Sequence, residues 1–201
     1  MKGKIQTIVG LLIVGLLVFS SIRGIYKNYF ADPDFTVLKS TQMSSPIKDA
    51  LFWHEEELEK IFFALSAQLS REELLFIEPL YEDLKTTGMV SEQIKTMSEK
   101  AVEKMIELDA YAGTAPDVWE IAEENGYPYI FKITITEAYG KKYTHDLTSV
   151  KYLFSLYDVS NDSLIWEAES TRLSGFLGEM PDGKKSVSVL KKHLKEAKII
   201  E

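Results

Sequence analysis

Residues 129–136 read YIFKITIT, with Tyr129, Phe131, Ile133 and Ile135 set against Lys132, Thr134 and Thr136. A period of two in aromatic and β-branched residues predicts a strand with one buried face. The same alternation recurs at Val150, Tyr152, Phe154 and Leu156, and at Leu164, Trp166 and Ala168. Ser160-Asn-Asp-Ser163 is turn chemistry, so the last two strands form a hairpin.

Outward from these strands the period changes. Asp117–Glu124 reads as a short helix closed by Asn125-Gly126. Ser186 is placed to cap a final helix whose inner face is Val187, Leu190 and Leu194. Upstream, Phe35–Lys39 is a short strand candidate behind the linker Asp32-Pro33-Asp34. Ile47, Leu51, Leu58, Ile61, Phe62, Leu65 and Leu69 follow helical spacing between glutamates, which predicts an amphipathic helix. Leu74–Ile77 is an apolar run stopped by Pro79, read as a buried strand, with a helix capped by Ser70 as the other reading. Tyr81–Lys85 reads as helix ending near Gly88, and Ser91–Leu108 as another. The expected fold of residues 31–201 is one α+β domain. It has a mixed sheet of about five strands with helices packed on it, in the order β-α-β-α-α-α-β-β-β-α.

Composition excludes several classes. The chain has 201 residues, 45% apolar and 27% charged, near the globular average, which rules out disorder and collagen-like repeats. Lys2, Lys4, Arg23 and Lys27 are the only bases before Asp32, the first acid. Everything after residue 31 therefore holds all 31 acids against 19 bases, a net −12. That sign argues against binding free nucleic acid, which needs a basic face. The lysine pairs 141–142, 184–185 and 191–192 read as solubilising. The absence of cysteine removes disulfides, thiolate catalysis, thiolate zinc sites and a lipidation site.

Residues 1–30 are a signal anchor or signal peptide. Ile5–Ile22 is 18 residues without a charge, at the short end of the about 17–25 residues that span a bilayer. Its apolar surface comes from Ile8, Leu11, Leu12, Ile13, Val14, Leu16, Leu17, Val18 and Phe19. Cleavage after Ser20 is a mediocre match, so a retained anchor is the preferred reading. The amine, Lys2 and Lys4 against Arg23 and Lys27 slightly favour an N-terminus inside, which puts the domain outside the cytoplasm, most simply at the cytoplasmic membrane. Signal cleavage would instead release a soluble periplasmic domain.

The motifs for chemistry are weak. Gly178–Ser186 approaches the phosphate-loop pattern, but the magnesium-binding hydroxyl is displaced by one residue and two acids occupy the loop. His54-Glu55-Glu56-Glu57 lacks the second histidine of a metal helix and reads as a solvated acidic face. His145-Asp146 could orient a general base, yet no nucleophile motif accompanies it. His193 reads as exposed on the lysine-rich terminal helix. Trp166 occupies an inward register, and Trp119 is expected to cover the sheet. No catalytic, metal or cofactor residue is assigned. Phe176, Leu177 and Met180 differ, because they stand in a Gly/Pro-containing loop where exposed apolar groups mark partner contacts.

Glu73–Pro79, then Tyr81–Leu84 and Thr87-Gly88-Met89, lead through Asp117–Gly126 to Tyr129–Glu137 and Tyr139–Tyr143. Leu156–Ala168, with Asp158 and Leu164-Ile-Trp166, closes the pattern. Across residues 73–170 this order resembles a family of uncharacterised bacterial envelope lipoproteins whose fold is like the N-terminal domain of TolB. It is similar, more distantly, to the domains of CsgG and of activators of penicillin-binding proteins. The resemblance implies a non-catalytic role in envelope assembly or protein binding. The chain departs from it in lacking the lipidated cysteine, which leaves anchoring to the apolar segment. The alternatives from the residues are a periplasmic ligand-binding domain, which needs an apolar cavity of roughly 300 Å³ or more, and a hydrolase built on His145 and Asp146.

Overall fold

The computed structural model describes residues 14–16, 18–19, 21–22, 33–56, 69, 71–91, 117–140, 147–174 and 183–201. Five strands form one mixed sheet: β1 (Asp34–Ser40), β2 (Ala50–Glu56), β3 (Tyr129–Gly140), β4 (Leu147–Asp158) and β5 (Ser163–Leu173). Their order in space is β1-β5-β4-β3-β2, parallel only between β2 and β3. A π-helical turn (Glu73–Ile77) runs into α1 (Glu78–Thr86); α2 (Val118–Asn125) precedes β3, and α3 (Lys184–Glu196) follows β5. The α+β class and the five-stranded mixed sheet agree with the sequence reading.

One face of the sheet carries the core. Tyr152, Phe154 and Leu156 of β4 and Trp166 and Ala168 of β5 are fully buried there. Phe76 stands edge-on to Tyr152 and Phe154 at 4.9 and 6.2 Å between ring centres, while Phe35 stacks on Phe154 at 6.0 Å. Such pairs add to the gain from burying apolar area. Leu80, Leu84, Leu190 and Leu194 bring α1 and α3 onto this face. The β4–β5 turn is set by Asp158, whose carboxylate accepts from Ser160 and Asn161. Those bonds, the Ser160 hydroxyl first, hold the Asp158 carboxyl below its ordinary range. At α2, Asp117 Oδ1 accepts from the Trp119 amide at 2.9 Å, and Gly126 closes the helix at φ 73°. Both ends match the sequence reading, because caps are local chemistry.

Three elements differ from expectation. Residues 50–56, expected in the helix over 47–69, form strand β2 beside β3, with Phe52 opposite Phe131 and Leu51 opposite Ile130. Leu51 and Phe52 are both buried, so the strand is covered on both faces there and shows no alternation. Ile47 and Leu51 fit helical spacing by coincidence, and a partner almost 80 residues away outweighs local propensity. Residues 57–68 and, apart from Ser91, the Ser91–Leu108 helix lie outside the described residues. Leu74–Ile77 is helical rather than a strand: Phe76, Ile77, Leu80, Tyr81 and Leu84 are buried at helical spacing across the turn and α1. Finally, Ser186 is not the cap of α3. Gly183 holds that position, and Ser186 is buried in the first turn.

Gly183 is required where it stands. Pro79 has no N–H to give the Leu75 carbonyl, and the Gly183 amide takes that acceptor at 2.8 Å. A Cβ at 183 would collide with the Leu75 oxygen and stand 2.8 Å from Phe76 Cα. Gly183→Ala is therefore expected to cost about 1–3 kcal/mol, read as a fall in the midpoint of thermal unfolding. An unchanged midpoint would show that this contact relaxes freely.

Candidate functional site: the loop end of the sheet

β5 ends on Arg172 and Leu173, which point to opposite faces. Arg172 turns into the core and is almost fully buried. Its Nε and Nη2 donate to the carboxylate of Glu72, equally buried ahead of the π-helical turn. Arg172 Nη1 donates to Ser186 Oγ at 3.1 Å, and the Tyr152 hydroxyl donates to Glu72 Oε1 at 3.0 Å. The guanidinium lies 4.8 Å from the centre of the Phe76 ring. This clamp ties the π-helical turn, β4, β5 and α3 together at one end of the sheet. An arginine holding a carboxylate through two nitrogens positions structure and offers no proton acceptor for chemistry. The sequence signal for it was an arginine on the inward register of a strand.

Beyond the clamp, large apolar side chains are exposed on both sides of the sheet. Leu74 on the π-helical turn is 66% exposed, Tyr139 near the end of β3 58%, and Leu173 38%. Tyr139 and Leu173 both face Ser149 of β4 in register, so they stand on one row across the sheet. Leu74 adjoins Leu75, which binds Gly183, and lies two residues from Glu72. The Tyr139 hydroxyl donates to Glu137 at 2.7 Å, and that bond raises its pKa. Phe176, Leu177 and Met180 lie outside the described residues. The segment that carries them is pinned at both ends of this surface: the Ser174 amide donates to Thr148, and Gly183 to Leu75.

The other candidates fall elsewhere. His54 sits on β2 rather than on an acidic helix face, with Glu55 beside it engaged by Lys132 at 2.5 Å, Trp53 Nε1 and Thr134. Lys151 pairs with Glu169 at 2.9 Å, which raises the lysine pKa. Glu55 and Glu169 are each held by a lysine, so neither stands ready as a free base. His145 and Asp146 lie outside the described residues. The phosphate-loop reading ends at Ser186, whose hydroxyl serves Arg172. His193 is not simply exposed: its ring stacks on Phe35 at 4.7 Å, and Nδ1 lies 3.2 Å from Glu196. Trp166 is buried as expected, and Trp119 stands edge-on to Tyr157 over the sheet's outer face.

A groove of about 670 Å³ runs outside α1 and α3, past Pro79, Asp83, Val187 and Lys191, with Lys191 paired to Asp83 at 2.7 Å. A smaller space of about 190 Å³ lies between α2 and the sheet, at Trp119, Lys132 and Tyr157. Neither is an apolar cavity beneath the sheet. Among the described residues no three His, Asp or Glu side chains gather as a metal site. No helix among them is long and apolar enough to cross a membrane. Of residues 5–22, Val14, Leu16, Val18 and Phe19 are helical and exposed.

No family model matches the sequence, and no curated protein does. Among solved structures, the chain is similar to a PelC dodecamer from Paraburkholderia phytofirmans at 17% identity and TM-score 0.45, covering 83% of this chain and 99% of that one. It is similar to the lipoprotein GNA1162 from Neisseria meningitidis at 14% identity and TM-score 0.40, covering 76% and 98%. It is also similar to the LpoB C-terminal domain from Salmonella enterica at 14% identity and TM-score 0.36, covering 66% and 88%. Likeness at this level carries no conclusion about activity.

Proposed function

We propose that this chain is an extracytoplasmic protein-docking domain, held at the cytoplasmic membrane by residues 5–22 and binding an envelope protein through the loop end of its sheet. The supporting observation is the exposed row of Tyr139 and Leu173, beside Ser174, where the segment bearing Phe176, Leu177 and Met180 leaves the sheet. Exposed apolar groups side by side on one face are what partner sites use. The rigid clamp beneath keeps them in place without ordering on binding. The docking needs no cofactor and no catalytic residue.

The test is in-cell crosslinking of the full chain at its native level, with Phe176→Ser plus Leu177→Ser as the variant. Truncating central anchors costs about 2 kcal/mol or more each, so recovery of the partner should fall by at least about tenfold. A variant that retains every partner overturns the choice of site. Sequencing the N-terminus of the recovered chain separates a retained anchor from a cleaved signal.

A further inference from the structure

We infer that the groove outside α1 and α3 binds a linear polymer of phosphate groups, held by Lys184, Lys191, Lys192 and Lys195. This site is separate from the row of Tyr139 and Leu173 and does not depend on the docking reading.

Charge is strongly segregated along the chain. Residues 184–198 hold six lysines and one acid, Glu196, a net +5, while the rest of residues 32–201 carries −17. Lys184, Lys191 and Lys195 follow the i, i+7, i+11 spacing that places side chains on one helix face. All three line the groove, with Lys192 beside them. From Lys184 to Lys195 the row runs about 16 Å along α3, at about 1.5 Å per residue. Val187, Leu190 and Leu194 fix the inner face of the helix in the core, so the lysine row cannot turn inward. The groove encloses about 670 Å³, within the roughly 300–1,000 Å³ of ligand sites. Two lysine pairs that read as solubilising in the sequence therefore contribute to one cationic row along a concave surface.

The lining selects the occupant. Four lysines and two acids, Asp83 and Glu196, line the groove. Asp83 holds Lys191 at 2.7 Å, and Glu196 stands 3.9 Å from Lys192. Among the described residues no arginine lines it, and the arginine fork is what reads a carboxylate through two bonds. Lysine binds phosphate as a point charge. Among the described residues no aromatic side chain lines it either, so nucleobases have no stacking surface. Its apolar part is Pro79 and the edge of Val187. That is too little for an acyl chain or for the large side chains that anchor a peptide. A bilayer is flat and would meet the acidic remainder of the domain as well, whereas a single chain enters a groove.

The test is calorimetric titration of the full chain in non-ionic detergent. The probes are inorganic polyphosphate, poly-L-glutamate and mixed micelles containing phosphatidylglycerol, matched in total charge. Polyphosphate should bind saturably and at least about tenfold more tightly than either of the others. Its log affinity should fall against log salt with a slope of about −0.7 for each phosphate neutralised. Lys191→Gln plus Lys195→Gln should weaken binding about tenfold and flatten that slope. Asp83→Asn takes the competing carboxylate away from Lys191 and should tighten binding by about two- to fivefold, a gain that a folding defect cannot produce. Poly-L-glutamate bound as tightly would make the groove a site for acidic peptides, and phosphatidylglycerol bound as tightly a site for lipid headgroups. Either result overturns the inference. So does a lack of saturable polyphosphate binding, an unchanged affinity in the lysine variant, or weaker binding by Asp83→Asn.

Discussion

Glu72→Ala is expected to lower the stability of the domain by about 3–5 kcal/mol, because it removes the buried carboxylate that holds a buried arginine. Arg172 is 3% exposed and cannot reach water without opening the junction of β5, α3 and the π-helical turn. Ser186 Oγ and the Phe76 ring remain beside it, but neither supplies a negative charge. For a domain of this size each kcal/mol shifts the unfolding midpoint by about 2–4 °C, so a fall of roughly 6–20 °C is the readout. The double variant Glu72→Met plus Arg172→Met separates causes. Apolar replacement of a whole buried pair is often neutral, so most of the loss should return. The remainder belongs to Tyr152, whose hydroxyl loses its carboxylate acceptor. If the double variant is as unstable as the single one, the lost charge pairing is not the source.

What the sequence made legible follows from the range of the physics involved. The strands at 129–136, 150–156 and 164–168 announce themselves because each buries one face. Asp117 and Gly126 mark α2 because capping bonds reach only a few residues. β2 stayed hidden because Leu51 and Phe52 point to opposite faces and are both buried, and because its ladder partner β3 comes from far along the chain. The π-helical turn stayed hidden because Pro79 looked like a strand terminator. Its missing amide in fact frees the Leu75 carbonyl for Gly183. The candidate site was half visible. Phe176, Leu177 and Met180 stand out by composition. Tyr139 and Leu173 become a pair only when the register places them on one row.

Trp166→Ala is expected to cost about 3–5 kcal/mol, through lost transfer energy and the cavity left behind. Trp166 is fully buried, faces Leu156 on β4 and Ser40 on β1, and lies 6.4 Å from the Phe35 ring. It therefore spans three strands, and β1 depends on it most, since β1 is an edge with one neighbour and is exposed over most of its length. Hydrogen exchange gives a sharper readout than the melting temperature. In the variant, β1 amides should lose protection before those of β3 and β4, whose mutual ladder is untouched. Equal loss in all strands would mean that β1 is no weaker than the core. Trp166→Phe keeps a ring in the site and should recover more than half of the loss.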